Sequence, residues 1–366
     1  MLKRFEVQGY RNFKNNFILD LSNTRDYKFN QECVKDGIVK TGIIYGQNAV
    51  GKTNFGNALL DIKNNILPKE YSDLKEPNYL NADLIDGRVI FKYEFVFDNT
   101  EVFYKYEKNR YGLLMYELLA VDDNVIIEFD HNNKKIIQNG LSYVHADSLN
   151  WEFADLEKSV LAYVVNNTTL TADHILKKLF RFIRNMFIVY GNKSSNHSFF
   201  IDIVVKKIID NDLVNDLERF LNEFGIQEKL VVKTTPTGEK NLYFKHERLI
   251  PFLENYSSGT GALLGIYNCY QYLVKQESVF YYLDEFDAFY HYELSENMVE
   301  KLKKTTNCQV IMSSHNTDLL TNKLMRPDCL FVLTKEKISS IADATSRELR
   351  EGHNLEKLYK SGEFNE

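Results

Sequence analysis

The chain has 366 residues (42.9 kDa), with 45 Lys and Arg against 51 Asp and Glu, a net charge of −6 and a pI near 5.9. That length supports a large core and roughly one to three domains, and the 44% hydrophobic and 26% charged fractions are ordinary globular values. The acidic balance excludes a wholly basic nucleic-acid binder and leaves room only for a local basic face.

No apolar run approaches the roughly 20 residues of a membrane span, so no membrane contact is expected. Met1-Leu2-Lys3-Arg4-Phe5 alternates with charge as a strand does, unlike a secretory signal. Cys33, Cys269, Cys308 and Cys329 are scattered without metal-ligand spacing, which fits buried thiols in a reducing cytoplasm.

Taken along the chain, Leu2 to Val7 alternates as a strand, breaks at Tyr10-Arg11-Asn12-Phe13-Lys14 and resumes at Phe17-Ile18-Leu19. The apolar run Ile38 to Tyr45 enters a glycine motif. Beyond it Phe55, Ala58, Leu59, Ile62 and Ile66 keep helical spacing until Pro68. From Arg88 to Ile137, Val, Ile, Phe and Tyr alternate with polar residues. Asp98-Asn99, Asp122-Asp123 and Asn132-Asn133 punctuate this stretch as turns, predicting an antiparallel sheet of about four to six strands.

From Asp155 to about Phe224 the period is helical, with Leu176, Leu179, Ile183 and Met186 on one face and Lys177, Arg181 and Arg184 on another. A solvated charged face is the ordinary reading of that basic cluster, nucleic-acid binding the sharper one. The final third, Ser257 to Ile341, returns to α/β alternation, with Val279–Leu283, Gln309–Ser313 and Leu330–Leu333 as short apolar strands. The nucleotide core is thus expected to be split, its two halves flanking a long insertion.

Gly46-Gln47-Asn48-Ala49-Val50-Gly51-Lys52-Thr53 matches G-x-x-x-x-G-K-[ST] in full. Backbone N–H groups of such a loop, with Gly46, Asn48 and Gly51 in it, cradle phosphates at the positive end of the following helix. Lys52 is placed to reach the β- and γ-phosphates of ATP, and Thr53 to give its hydroxyl to Mg2+. The strand Val279–Leu283 ends in Asp284-Glu285. Asp284 is the candidate second metal residue, and Glu285 the candidate base for the attacking water. Tyr256-Ser257-Ser258-Gly259-Thr260-Gly261 opens a helix bearing Leu263, Ile266, Tyr270 and Leu273. It reads either as a simple Ser cap or as a second anion site built on Ser257 and Gly259. His315, in Ser313-Ser314-His315, is placed to sense the γ-phosphate.

These motifs in this order resemble the ABC-type ATPases, whose signature is matched loosely by Tyr256-Ser257-Ser258-Gly259-Thr260. Tyr10-Arg11-Asn12-Phe13 is similar to the N-terminal segment of the SMC/RecF/OLD branch. The resemblance covers roughly residues 1–67 and 250–345. It implies an α/β ABC-type P-loop core with an antiparallel β lobe and an inserted helical region. The implied order is an N-terminal half-core (1–75), the β lobe (76–150), a mainly helical insertion (151–250), and the second half-core with its tail (251–366). It further implies ATP and Mg2+, a homodimer in which one subunit's signature caps the other's ATP, and a D-loop at Asp287 to His291. Gln138 is the candidate Q-loop glutamine. No sustained heptads link the two halves, unlike a true SMC protein. The tail from Leu349 to Tyr359, with Gly362 and Phe364, looks like that of stand-alone ATPases of anti-phage systems, which act with a nuclease or toxic effector. The expected function is therefore a cytoplasmic, ATP-gated switch on a partner effector, with a RecF-like nucleic-acid clamp as the alternative.

Overall fold

The computed structural model describes residues 1–67, 79–85, 87–146, 149, 159–190, 195–274, 279–288 and 292–364. The chain opens with β1 (Leu2–Gln8) and β2 (Phe17–Asp20), then a short ladder of β3 (Val34–Lys35) and β4 (Ile38–Val39). β5 (Thr41–Tyr45) is buried along its whole length and leads through the glycine motif into α1 (Lys52–Ile66). A meander follows: β6 (Val89–Phe97), β7 (Thr100–Lys108), β8 (Leu114–Val121), β9 (Asn124–Asp130) and β10 (Lys135–Asn139). Its hairpins turn at Asp98-Asn99 and Asp122-Asp123, all four residues at positive φ, as two-residue hairpin loops require.

Next come α2 (Val160–Asn167), α3 (Ile175–Arg184), β11 (Met186–Tyr190), α4 (Ser195–Asp210) and α5 (Val214–Glu223). β12 (Leu230–Thr234), β13 (Lys240–Lys245) and β14 (Leu249–Pro251) make a small antiparallel sheet before α6 (Phe252–Asn255) and α7 (Ser258–Val274). The chain ends with β15 (Val279–Asp284), α8 (Tyr292–Lys303), β16 (Cys308–Ser314), β17 (Leu330–Leu333), β18 (Ile338–Ser340) and α9 (Leu355–Lys360).

Two main sheets result. The core sheet runs β11-β15-β16-β5-β17-β18 and is parallel apart from β18. β5, β15 and β16 are buried at every position, as strands of a parallel sheet covered on both faces must be. The second sheet, β10-β9-β8-β7-β6-β1-β2, is antiparallel, and β6 buries Val89, Phe91, Tyr93 and Phe95 in strict alternation.

Helix α1 is clamped between the sheets. Its Phe55 ring lies 5.5 Å from Phe5 and 5.8 Å from Phe13 on one side. On the other, Gly56 comes so close to Tyr282 of β15 that an added Cβ would sit 2.5 Å from that ring. A buried polar knot fixes the helix further along. Asp61 accepts hydrogen bonds from Lys108 Nζ (2.6 Å), Tyr106 Oη (2.9 Å) and Tyr79 Oη (2.8 Å).

Three placements differ from the sequence expectation. β1 and β2 open the segment assigned to the nucleotide core, yet they pair with the β lobe, Phe5 facing Tyr93. Met186 does not continue the α3 face, because the helix ends at Asn185 and residues 186–190 extend as β11 beside β15. The span expected to be mainly helical also holds the β12–β14 sheet. Pro68 and Asp155, used above to mark helix boundaries, lie outside the described residues.

Candidate functional site

The glycine loop joins the C-terminal end of β5 to the first turn of α1. Gly46 is required by contact: a Cβ there would lie 2.7 Å from the Leu333 carbonyl oxygen. Gly51 is required twice over, by its φ of 111° and because a Cβ would fall 2.1 Å from Asn12 Nδ2. Asn12 comes from the turn between β1 and β2 and braces the loop. Its amide donates to the Val50 carbonyl (2.8 Å), its Oδ1 accepts from Asn54 (2.8 Å), and Arg11 donates to Asn54 Oδ1 (2.7 Å).

Lys52 is buried and points back across the loop. Its Nζ donates to the Gly46 carbonyl (2.8 Å) and lies 3.2 Å from His315 Nδ1. Burial pulls its pKa down to about 8, against the opposing pull of Glu285, Asp284 and Asp287. Thr53 donates to Asp284 Oδ2 at 2.6 Å, and burial raises the Asp284 carboxyl above its ordinary value while Thr53 and Ser313 restrain it. A hydroxyl and a carboxylate oxygen in contact are the hard donors that Mg2+ takes alongside phosphate oxygens and water, so the donor set fits that ion. Thr53 and Asp284 would hold it.

β15 ends at Asp284, and Glu285 adopts a left-handed φ of 48° that turns it into a cleft of about 580 Å3. Asn48, Ala49, Asp287 and His315 share that cleft with Glu285. His315 Nε2 stands 3.6 Å from Glu285 Oε1. Burial and the neighbouring Lys52 lower the His315 pKa from its ordinary value, which favours a neutral ring. With the Lys52 ammonium donating to Nδ1, the ring proton belongs on Nε2, towards Glu285. Burial also raises Asp287, whose Oδ2 accepts from Ser314 Oγ at 2.6 Å.

The structure thus brings Gly46, Asn48, Gly51, Lys52, Thr53, Asp284, Glu285 and His315 to the C-terminal ends of β5, β15 and β16, where ligands of open α/β sheets bind. Ser257 and Gly259 lie elsewhere. Ser257 is exposed at the N-terminus of α7 and caps it, its Oγ accepting from Thr260 N at 3.0 Å, and neither residue lines the cleft. Asp216 of α5 holds α7 from the side, accepting from Tyr267 Oη (2.8 Å) and Gln271 Nε2 (3.0 Å).

Gln138 sits exposed on β10, the outer strand of the antiparallel sheet opposite Glu128, and does not line the cleft. Of the D-loop candidates, Asp287 and Ala288 line the cleft, while His291 lies outside the described residues. On α3, Arg181 donates to the Ala172 carbonyl (3.0 Å) and Lys177 to that of Leu170. Both tie down the preceding turn. Sequence reasoning missed Asn12, Asn54, Tyr282, Ser313 and Ser314 as site residues. The serines carried a signal, standing immediately before His315, and Asn12 lay in the Tyr10–Phe13 segment already singled out.

A protein-family model described as "AAA domain, putative AbiEii toxin, Type IV TA system" matches residues 43–321. No curated protein matches. Among solved structures, the chain is similar to an SMC head bound to the C-winged helix domain of ScpA, at 12% identity and TM-score 0.51, covering 93% of this chain and 97% of that one. The SMC head domain from Thermotoga maritima aligns at 16% identity and TM-score 0.43, over 93% and 98% of the two chains. A Pyrococcus furiosus Smc head with an extended coiled coil, bound to the C-terminal domain of ScpA, aligns at 13% identity and TM-score 0.46, over 98% of each. The first of these shares the ABC-type ATPase fold argued from the motifs. The family match spans well over half the chain, and its P-loop and carboxylate strand meet in one cleft: the chain belongs to this AbiEii-associated AAA family of nucleotide-binding ATPases.

Proposed function

We propose that the protein binds and hydrolyses ATP as a dimeric switch whose two sites each need both copies, and that the closed pair controls a partner effector in phage defence. The observation that carries this reading is a separation. Lys52, Thr53, Asp284, Glu285 and His315 converge on one cleft, while Ser257 stands exposed on a different helix. A signature that does not line its own cleft is free to cap the nucleotide of a second copy.

The roles follow from position. The loop N–H groups and Lys52 hold the phosphates at the positive end of α1. Thr53 and Asp284 would hold a magnesium ion, which would supply charge neutralisation at the phosphates. Glu285 Oε accepts the proton of the attacking water, with the neutral His315 ring 3.6 Å from it. Asn12 keeps the loop wound while this happens.

The family description names a putative AbiEii toxin and a type IV TA system, which supports a role in a toxin-based defence system. An SMC head carrying a winged-helix domain is a further case of this fold binding a partner. On the α3 face that the clamp reading would use, Lys177 and Arg181 each spend a donor on a backbone carbonyl, which favours the switch over the clamp. No helix among the described residues is long and apolar enough to cross a membrane.

The test is phosphate release by the purified chain across a range of protein concentrations. Turnover should rise more steeply than linearly and depend on Lys52. Turnover strictly proportional to concentration, by a species that stays monomeric with ATP, would defeat the shared-site reading.

A further inference from the structure

β15 stops at Asp284, but the neighbouring β16 runs on to Ser314, so Ser313 stands across from Asp284 just beyond the Leu283–Met312 pair. Ser313 is fully buried, and three of its contacts converge on the turn after β15. Its Oγ lies 2.7 Å from Asp284 Oδ1 and 2.8 Å from the Glu285 amide nitrogen, and its carbonyl accepts from Phe286 N at 3.2 Å. A hydroxyl has one proton. Because the Glu285 amide can only donate, that proton goes to Asp284. One small side chain therefore orients the Asp284 carboxylate and anchors the backbone of Glu285.

The anchoring matters because Glu285 has a φ of 48°. A residue with a side chain holds that left-handed conformation only where its surroundings enforce it. The Glu285 carbonyl closes the turn by accepting from Ala288 N at 3.0 Å, and the side chain is thereby delivered to His315 in the cleft. Released from Ser313, the peptide can relax towards ordinary extended φ, which swings the carboxylate away from the reacting water.

We propose that Ser313 is a positioning residue for hydrolysis, setting the backbone conformation that aims Glu285 at the water. The proposal rests on Glu285 being the base. Ser313→Ala removes the hydroxyl and keeps the fold small and apolar at a buried position; Ser313→Thr keeps the hydroxyl. A displaced base of this kind costs about 10- to 100-fold. In Ser313→Ala, kcat should fall by that factor, well beyond any change in ATP affinity, and Ser313→Thr should recover most of the loss. Added to Glu285→Gln, Ser313→Ala should cost far less than it does alone. Hydrogen–deuterium exchange of the peptide containing Glu285 and Phe286 should speed up in Ser313→Ala and stay slow in Ser313→Thr. Wild-type turnover in Ser313→Ala, an equal further loss in the Glu285→Gln background, or unchanged exchange at 285–286 overturns the proposal. A wild-type protein that turns over no ATP ends the hydrolytic reading instead, and the exchange measurement still decides whether Ser313 holds the turn.

Discussion

Lys52 gives the nucleotide site a pH dependence that an ordinary lysine would not. Burial lowers its pKa to about 8, and the bound triphosphate, as an adjacent polyanion, should restore the charged form. The free protein then has to take up a proton on binding at any pH above about 8. Affinity scales with the protonated fraction, so it should be flat from pH 6.5 to 7.5 and fall about tenfold between pH 7 and 9, near 1.4 kcal/mol. A lysine at the ordinary 10.5 would leave it flat throughout. His315 is lowered from an ordinary value of 6.5, so its transition falls below this window.

Lys63 also titrates near 8, lowered by burial and by Arg184, but it works in the opposite direction on folding. A lysine whose folded pKa lies below its unfolded value destabilises while charged, so stability from Lys52 and Lys63 rises as pH passes through about 8. Loss of affinity therefore cannot come from these groups unfolding the chain. Calorimetric titration with a non-hydrolysable ATP analogue, with circular dichroism at each pH, is the assay. Affinity unchanged up to pH 9.5 would refute the buried-lysine argument.

The other predictions concern named contacts. Lys52→Ala should abolish ATP binding in calorimetry without lowering the melting temperature of the apo chain. Glu285→Gln should slow hydrolysis about 10²- to 10⁴-fold and accumulate an ATP-bound pair by size-exclusion chromatography, since it removes the base and keeps its shape. Lys108→Met strands Asp61, a buried carboxylate on the helix that follows the glycine loop, and should cost about 3–5 kcal/mol in urea unfolding. Reversing Lys177, Arg181 and Arg184 together should leave ATP hydrolysis intact and loosen the turn at residues 170–172, seen as faster amide exchange there.

Much of the core was legible because its signals are local. The glycine motif, the helical spacing from Phe55 to Ile66 and the buried runs ending at Asp284 and Ser313 each lie within one element. The hairpin turns were equally plain, since Asp and Asn pairs tolerate positive φ. What escaped depends on pairing between distant segments. Nothing in Leu2–Gln8 says that its neighbour is Val89–Phe97 and not the adjoining core, and β11 is five residues hidden behind a helix of matching period. Gln138 was assigned by residue type alone, and register on an outer strand took it away from the cleft. Asn12, Ser313 and Tyr282 act through hydrogen bonds that span 28 to 230 residues of chain, which no window of sequence displays.

The shared-site claim is tested most directly by mixing two inactive variants. In a pair of Lys52→Ala with Ser257→Arg, one site has a wild-type glycine loop facing a wild-type signature, and the other has lost both. Each variant alone should release almost no phosphate, and the mixture should recover part of the wild-type rate with an optimum at equal proportions. A mixture no more active than the sum of its parts, or full activity in Ser257→Arg by itself, contradicts a site built from two copies.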